Sequence, residues 1–125
     1  MLYAILCYNT EAIVGSWTRE KDAAVMAEHF AIQKKLAAAG KLGPVVRLMP
    51  TTTATTVRAG DQPVVLDGPF AETKEQFLGF YVVDCATLDE ALQIARQLSI
   101  KPGTMEVRPI MAFFDKNVPT TSLGN

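Results

Sequence analysis

The sequence holds one histidine, His29, and only two cysteines, Cys7 and Cys85. One imidazole cannot build the usual multi-histidine metal centres. Two cysteines cannot make the disulfide framework that staples small secreted domains. Both lie near the C-terminal ends of strands expected to run antiparallel, which places the sulfurs at opposite edges of the sheet, so they are read as free, buried or half-buried thiols. Charge of one sign is not in excess either: 12 Lys and Arg face 13 Asp and Glu, a formal net charge of −1. That balance leaves no basic footprint for nucleic acid and no polybasic signal for a membrane surface. No apolar run approaches the ~20 residues that a membrane-crossing helix needs. The apolar start, MLYAILCYN, lacks the positive segment of an export signal and alternates as a strand does, so a cytoplasmic protein is expected. A glycine-rich phosphate loop, a nucleophile elbow and a metal-spaced His and Cys set are also missing. Neither cofactor nor metal is expected, and the partner expected is a small molecule or another protein.

What is present is patterning. At 125 residues and 49% hydrophobic content, the chain fits one domain with a real core. The domain is read as 1–112, followed by a tail, 113–125, with exposed aromatics Phe113 and Phe114 suited to packing across a dimer and a loose end. Residues 2–8 alternate Leu2, Ala4, Leu6, Tyr8 against Tyr3, Ile5, Cys7, a strand buried on both faces and hence central. Residues 9–17 read as a loop. Thr18 is the expected N-cap of a helix over 19–39, rich in Ala, free of Gly and Pro, and stopped by Gly40. Val25, His29, Ile32 and Leu36 fall within an arc of about 60°, so His29 lies in the apolar stripe. Lys21, Glu28, Lys34, Lys35 and Lys41 read as solvated surface.

Residues 42–49 form a short strand entered through Gly43 and Pro44, and the threonine-rich run 51–56 an edge strand or exposed hairpin arm. Residues 56–58 and 63–66 flank a hairpin turn. Residues 77–84 place Phe77, Gly79, Tyr81, Val83 on one face and Leu78, Phe80, Val82, Asp84 on the other, and neither face reads as solvated. Thr87 and Glu90 form a capping box for a second helix, apolar at Leu88, Ala91, Leu92, Ala95 and Leu98, and residues 104–110 form the last strand. This order is that of a ferredoxin-like split β-α-β unit: α+β, one antiparallel sheet, two helices on one face. A strand apolar on both sides needs a cover on each. The uncovered face therefore predicts a two-fold homodimer with sheet packed on sheet, in the manner of a dimeric α+β barrel.

The chemistry-bearing residues are few. Asp67-Gly68-Pro69-Phe70 is a rigid turn in which Asp67 is the carboxylate held most firmly. Glu72, Lys74 and Glu75 follow as a charged cluster on that scaffold. Arg58 and Arg108 are candidates to hold an anionic substrate, with ion pairs to neighbours such as Glu106 as the alternative. His29 reads either as a half-buried helix histidine bonded to a backbone group or as a proton carrier near neutral pH if a carboxylate stands close by.

The run DGPFAETKEQ at 67–76, the glycine-containing aromatic strand after it and the later Glu106-Val107-Arg108-Pro109 resemble the signature of DGPF proteins within the YCII-related family. The resemblance spans residues 2 to about 109. It implies a ferredoxin-like fold, usually dimeric, and for some members a His and Asp pair in a sheet-side pocket. One branch is a dehydrochlorinase of a chlorinated aromatic ring. The family's His precedes the glycine ending the first helix by about three turns, as His29 precedes Gly40, and its Gly-Pro near the second strand is matched by Gly43-Pro44. Two functions follow as expectations. The first is a small dimeric enzyme using His29 and Asp67 as catalytic acid and base, with Arg58, Glu72, Lys74 and Arg108 binding a small organic substrate. The second is a non-catalytic ligand-binding or regulatory module, which the resemblance links to extracytoplasmic-function sigma factors.

Overall fold

A computed structural model describes residues 1–114 and 119–121. In chain order it contains β1 (Leu2–Asn9), α1 (Glu11–Gly15), α2 (Arg19–Ala38), β2 (Leu42–Arg47), β3 (Thr55–Arg58), β4 (Val64–Asp67), β5 (Gln76–Asp84), α3 (Leu88–Leu98), β6 (Thr104–Pro109), β7 (Ala112–Phe114) and β8 (Pro119–Thr121). β2, β5, β1 and β6 pair in that order as one antiparallel sheet, an α+β arrangement compatible with the ferredoxin-like unit. The two long helices share one face of it. Tyr3 and Ile5 of β1 and Tyr81 and Val83 of β5 are buried with Ala91, Ile94, Ala95 and Leu98 of α3, and Ile32 and Leu36 of α2 pack against them.

Local chemistry explains the helix ends. The Thr18 hydroxyl accepts from the Lys21 N–H at 3.1 Å, Glu20 and Asp22 occupy the positive first turn, and Gly40 ends α2 at φ +71°. Thr87 caps α3 by accepting from the Glu90 N–H at 3.2 Å. The reciprocal half of the capping box does not form. The Glu90 carboxylate accepts from the Ala86 N–H at 3.2 Å and pairs with Lys41, because an ammonium group within reach is a stronger partner than a second backbone amide. Lys41 is thus an ion-pair partner as well as a surface residue. In α3, Leu88 is left exposed and Ile94 takes its place in the buried stripe.

Two segments within the domain depart from the sequence expectation, and the stretch read as a tail from 113 contains the paired strands β7 and β8. Residues 9–17 include the single-turn helix α1, where the Thr10 carbonyl accepts from the N–H groups of Ile13 and Val14, both at 3.1 Å; one turn is too short to show a helical period. The threonine run starts as a 3₁₀ turn, Thr51–Thr53, closed by the Thr53 N–H on the Pro50 carbonyl at 2.9 Å, and only then becomes β3.

Cys7 and Cys85 are free and lie at opposite ends of the β1–β5 pairing, where Cys7 faces Gly79 and Leu2 faces Asp84. On the sheet face away from the helices, Leu2, Ala4, Leu6 and Phe80 are half-buried and Val46 is exposed. β3 and β4 form a separate two-stranded sheet with Val57 and Val65 each 64% exposed and Phe70, in the following turn, 80% exposed. β7 pairs with β8; Phe114 is exposed and Phe113 half-buried. The loose end expected beyond residue 121 lies outside the described residues.

Leu98 has no exposed surface. Leu98→Ala is expected to cost about 2–5 kcal/mol through lost burial and the cavity left behind, read from urea unfolding. A loss below about 1 kcal/mol would show that α3 is not seated as described.

Candidate functional site

Antiparallel register arranges side chains in rows across the helix-covered face. One row reads Val45, Tyr81, Ile5, Val107; the next reads Arg47, Gly79, Cys7, Met105. In that second row Gly79 lets the β2 main chain come close, since a Cβ there would lie against the Val46 carbonyl oxygen, and a space is left between the row and the helix. A cavity of about 110 Å³ occupies it, floored by Gly79 and walled by Cys7, Tyr81 and Met105. α2 is its roof, through Val25, Met26, His29 and Gln33, while Val14 of α1 and Trp17 close one end. The apolar stripe of α2 is therefore divided: Ile32 and Leu36 fill the core, and the turns before them span a hole. The β1–β5 register also shifts between Cys7 and Tyr8 beside the cavity, a bulge of the kind that re-aims side chains near sites. It breaks the expected alternation, so that Phe77 packs on Tyr8 with ring centroids 5.5 Å apart.

His29 meets Tyr81 here, Nδ1 to the phenol oxygen at 3.0 Å, with the rings edge to face at 74°. Tyr81 is only 6% exposed. Burial disfavours the imidazolium and holds the His29 pKa below its ordinary value; the Leu98 carbonyl and Glu28 oppose that, and Arg47 adds to it. Burial likewise raises Tyr81, reinforced by Cys7 and opposed by the Gln33 side chain and Arg47. Near neutral pH both groups are uncharged. When the phenol donates to Nδ1, the imidazole proton sits on Nε2. When Nδ1–H donates, the phenol proton is free for another acceptor. Either way the pair carries a proton that can move. Cys7 beside it is pushed up to about 11 by burial, so it stands as a thiol and not as a nucleophile.

At the cavity mouth Arg47 reaches back to α2, its Nη2 and Nη1 lying 2.8 and 3.4 Å from the two Asp22 carboxylate oxygens. The hydrogen bonds from Arg47 hold Asp22 below the usual carboxylate range. Among the described residues no group of three or more His, Cys, Asp and Glu side chains is placed to hold a metal ion, and no helix is long and apolar enough to cross a membrane.

The YCII-related domain family matches residues 1–114. The chain belongs to the YCII-related family. An uncharacterized protein of Rhizobium meliloti (strain 1021) is 52% identical to it over 124 residues, covering 96% of this chain and 100% of that protein.

In this YCII-related protein His29 is the one site residue read from the sequence that lies on the cavity wall. Asp67 ends β4 opposite Thr55 and is exposed. Arg58 ends β3 opposite Val64, also exposed. Glu72 and Lys74 are exposed in the segment leading to β5. Arg108, opposite Ala4 on the face away from the helices, donates from Nε and Nη2 to Glu106, both at 3.1 Å. Tyr81, Arg47 and Gln33 complete the site, and sequence reasoning alone misses all three. The available signal is Gly79, since a glycine inside a strand marks a place where something else approaches closely.

The depressed His29 pKa makes stability pH-dependent. The unfolded chain gains a proton near the ordinary value of ~6.5, whereas the folded protein resists it until lower pH. The YCII-related protein is therefore expected to lose stability as pH falls through ~6.5 toward the folded value. His29→Gln should flatten that part of the curve of urea midpoint against pH and leave the carboxylate region below about pH 4.5 unchanged. Superimposable curves for the two proteins would exclude the linkage.

Proposed function

We propose that this YCII-related protein is a small homodimeric enzyme that moves a proton on a small organic substrate held under α2. His29 is the acid and base, and Tyr81 orients its ring and relays the proton. The observation that supports this reading is the 3.0 Å contact of His29 Nδ1 with the Tyr81 hydroxyl at the wall of a cavity. A proton carrier works best with a pKa near the working pH and in a place that excludes bulk water. The test uses deuterium exchange from heavy water into a panel of small acids and ketones, read by NMR, which reports proton abstraction whatever product forms. Tyr81→Phe keeps the ring packing and removes one hydroxyl. It is expected to slow exchange and shift its pH profile while the unfolding curve stays near wild type. Equal rate and equal profile would end the reading.

The homodimer is supported by the apolar arm β3–β4. Val57, Val64, Val65 and Leu66 are all exposed on it, and a lone two-stranded hairpin is marginally stable in water. A second copy covering it would need a total buried area above ~1,200 Å². Light scattering is expected to give a dimer at micromolar concentration, and Val57→Lys with Val65→Lys a monomer. A wild-type monomer at high concentration would remove the dimer and leave the cavity, which one chain forms alone.

A further inference from the structure

We infer that the cavity under α2 takes a small organic monoanion, a carboxylate on a compact apolar body, with Arg47 as its anchor. This deepens the proton-transfer reading and rests on it for the use made of the bound molecule. Among the described residues Arg47 is the one permanent cation on the wall, which carries no Asp or Glu side chain. Among the polar groups that stand with it, the Gln33 amide can donate, and the Tyr81–His29 pair, whose mutual bond uses one of its two protons, offers one further donor, from Nε2 or from the phenol according to the tautomer. Val14, Trp17, Leu78 and Met105 supply apolar surface. Such a wall suits an acceptor-rich, singly charged head on an apolar body. It disfavours a cation, which would find no counter-charge, and a dianion, whose second charge would be buried unpaired.

Size narrows the class. A cavity of ~150 Å³ holds benzene, and this one is about 110 Å³, so the enclosed part of the guest comes to about four to five heavy atoms, with the rest of the head at the mouth beside Arg47. The way in is also present. A wider groove of about 770 Å³ shares Val14, Trp17, Arg47 and Leu78 with the cavity and adds Glu11, Arg19 and Asp22. Both carboxylates there are engaged: Asp22 with Arg47, and Glu11 with the Thr51 N–H and hydroxyl at 2.8 and 2.7 Å. Asp22 grips Arg47 from the groove side and uses two of its five N–H donors, which leaves the others for a ligand.

The test is titration calorimetry at fixed ionic strength with 2-methylpropanoate, the neutral isostere 2-methylpropanamide and inorganic phosphate. Wild type is expected to bind the acid at least about tenfold more tightly than the amide or phosphate. Arg47→Gln should lose about tenfold or more for the acid with no change for the amide, and Arg47→Lys, which keeps the charge without the fork, should recover part of that loss. Melting curves confirm that both variants fold. Equal binding of acid and amide, acid binding untouched in Arg47→Gln, or no saturable binding of any acid from acetate to benzoate would overturn the inference. His29→Gln separates the two readings. A variant that binds the acid and exchanges no deuterium upholds both. One that binds and exchanges as wild type keeps the anion site and ends the proton-transfer role.

Discussion

His29→Gln is expected to lower proton exchange on a bound substrate by about two to four orders of magnitude, the range that a positioned general acid or base contributes. Gln is close in size and can still bond the Tyr81 hydroxyl, but it cannot take up a proton near neutral pH. His29 is half-buried on the roof and outside the core formed by Ile5, Val83 and Leu98, so the fold should survive with a change within about 1 kcal/mol. The pH profile gives a second readout. Burial lowers the His29 pKa, so the neutral, proton-accepting form is already dominant below pH ~6.5, and wild-type exchange should rise with pH in the acid range and level off before neutrality. A variant that keeps more than about a tenth of the wild-type rate, with the same profile, would take His29 out of the chemistry.

Gly79→Ala is expected to be the most damaging single change in the sheet. A Cβ there would lie 2.0 Å from the Val46 carbonyl oxygen, 3.0 Å from its carbon and 3.1 Å from the Arg47 Cα, and the residue sits at φ +156°. Those neighbours are main chain, so no side chain can swing aside. β2 is an edge strand paired only to β5 within its sheet, and the cheapest relief is for it to peel away at Val46 and Arg47. The expected cost is about 3–5 kcal/mol, at the high end for one substitution. Arg47 would lose its place beside Tyr81, so anion binding should vanish even at temperatures where the protein stays folded. Near-wild-type melting together with protected amides at residues 45–47 would show that the β2–β5 contact is looser than described.

The order of elements can be read from the sequence because each long segment declares its own period. The alternation in residues 2–8 and 77–84, the Ala-rich run after Thr18 and the cap at Thr87 are local signals, and local signals survive without tertiary knowledge. The site is legible by half. His29 stands out as the sole imidazole inside an apolar stripe, but its partner lies 52 residues away, and only the pairing of β5 with β1 and β2 turns Tyr81 toward it. Asp67 draws attention because its turn is rigid, and rigidity says nothing about what lies across the gap. Arg58 and Arg108 compete with Arg47 in the sequence because all three end or line strands. What separates them is which face each occupies and whether a helix lies above it, and both depend on register. α1 and the 3₁₀ turn after Pro50 are hidden for a different reason, since neither is long enough to show a repeat.

The floor of the cavity is a stretch of strand main chain, and main chain cannot be trimmed or enlarged by substitution without breaking the pairing. Side chains that can be resized stand overhead, in Val25 and Met26 on a single helical turn, and around the sides, in Val14, Trp17 and Met105. A redesign for bulkier or slimmer guests would therefore start from the helical turn, trading a flexible thioether or a branched methyl pair for something smaller or larger. The charged anchor and the proton pair would keep their places, so guest size and guest chemistry would be tuned by separate residues.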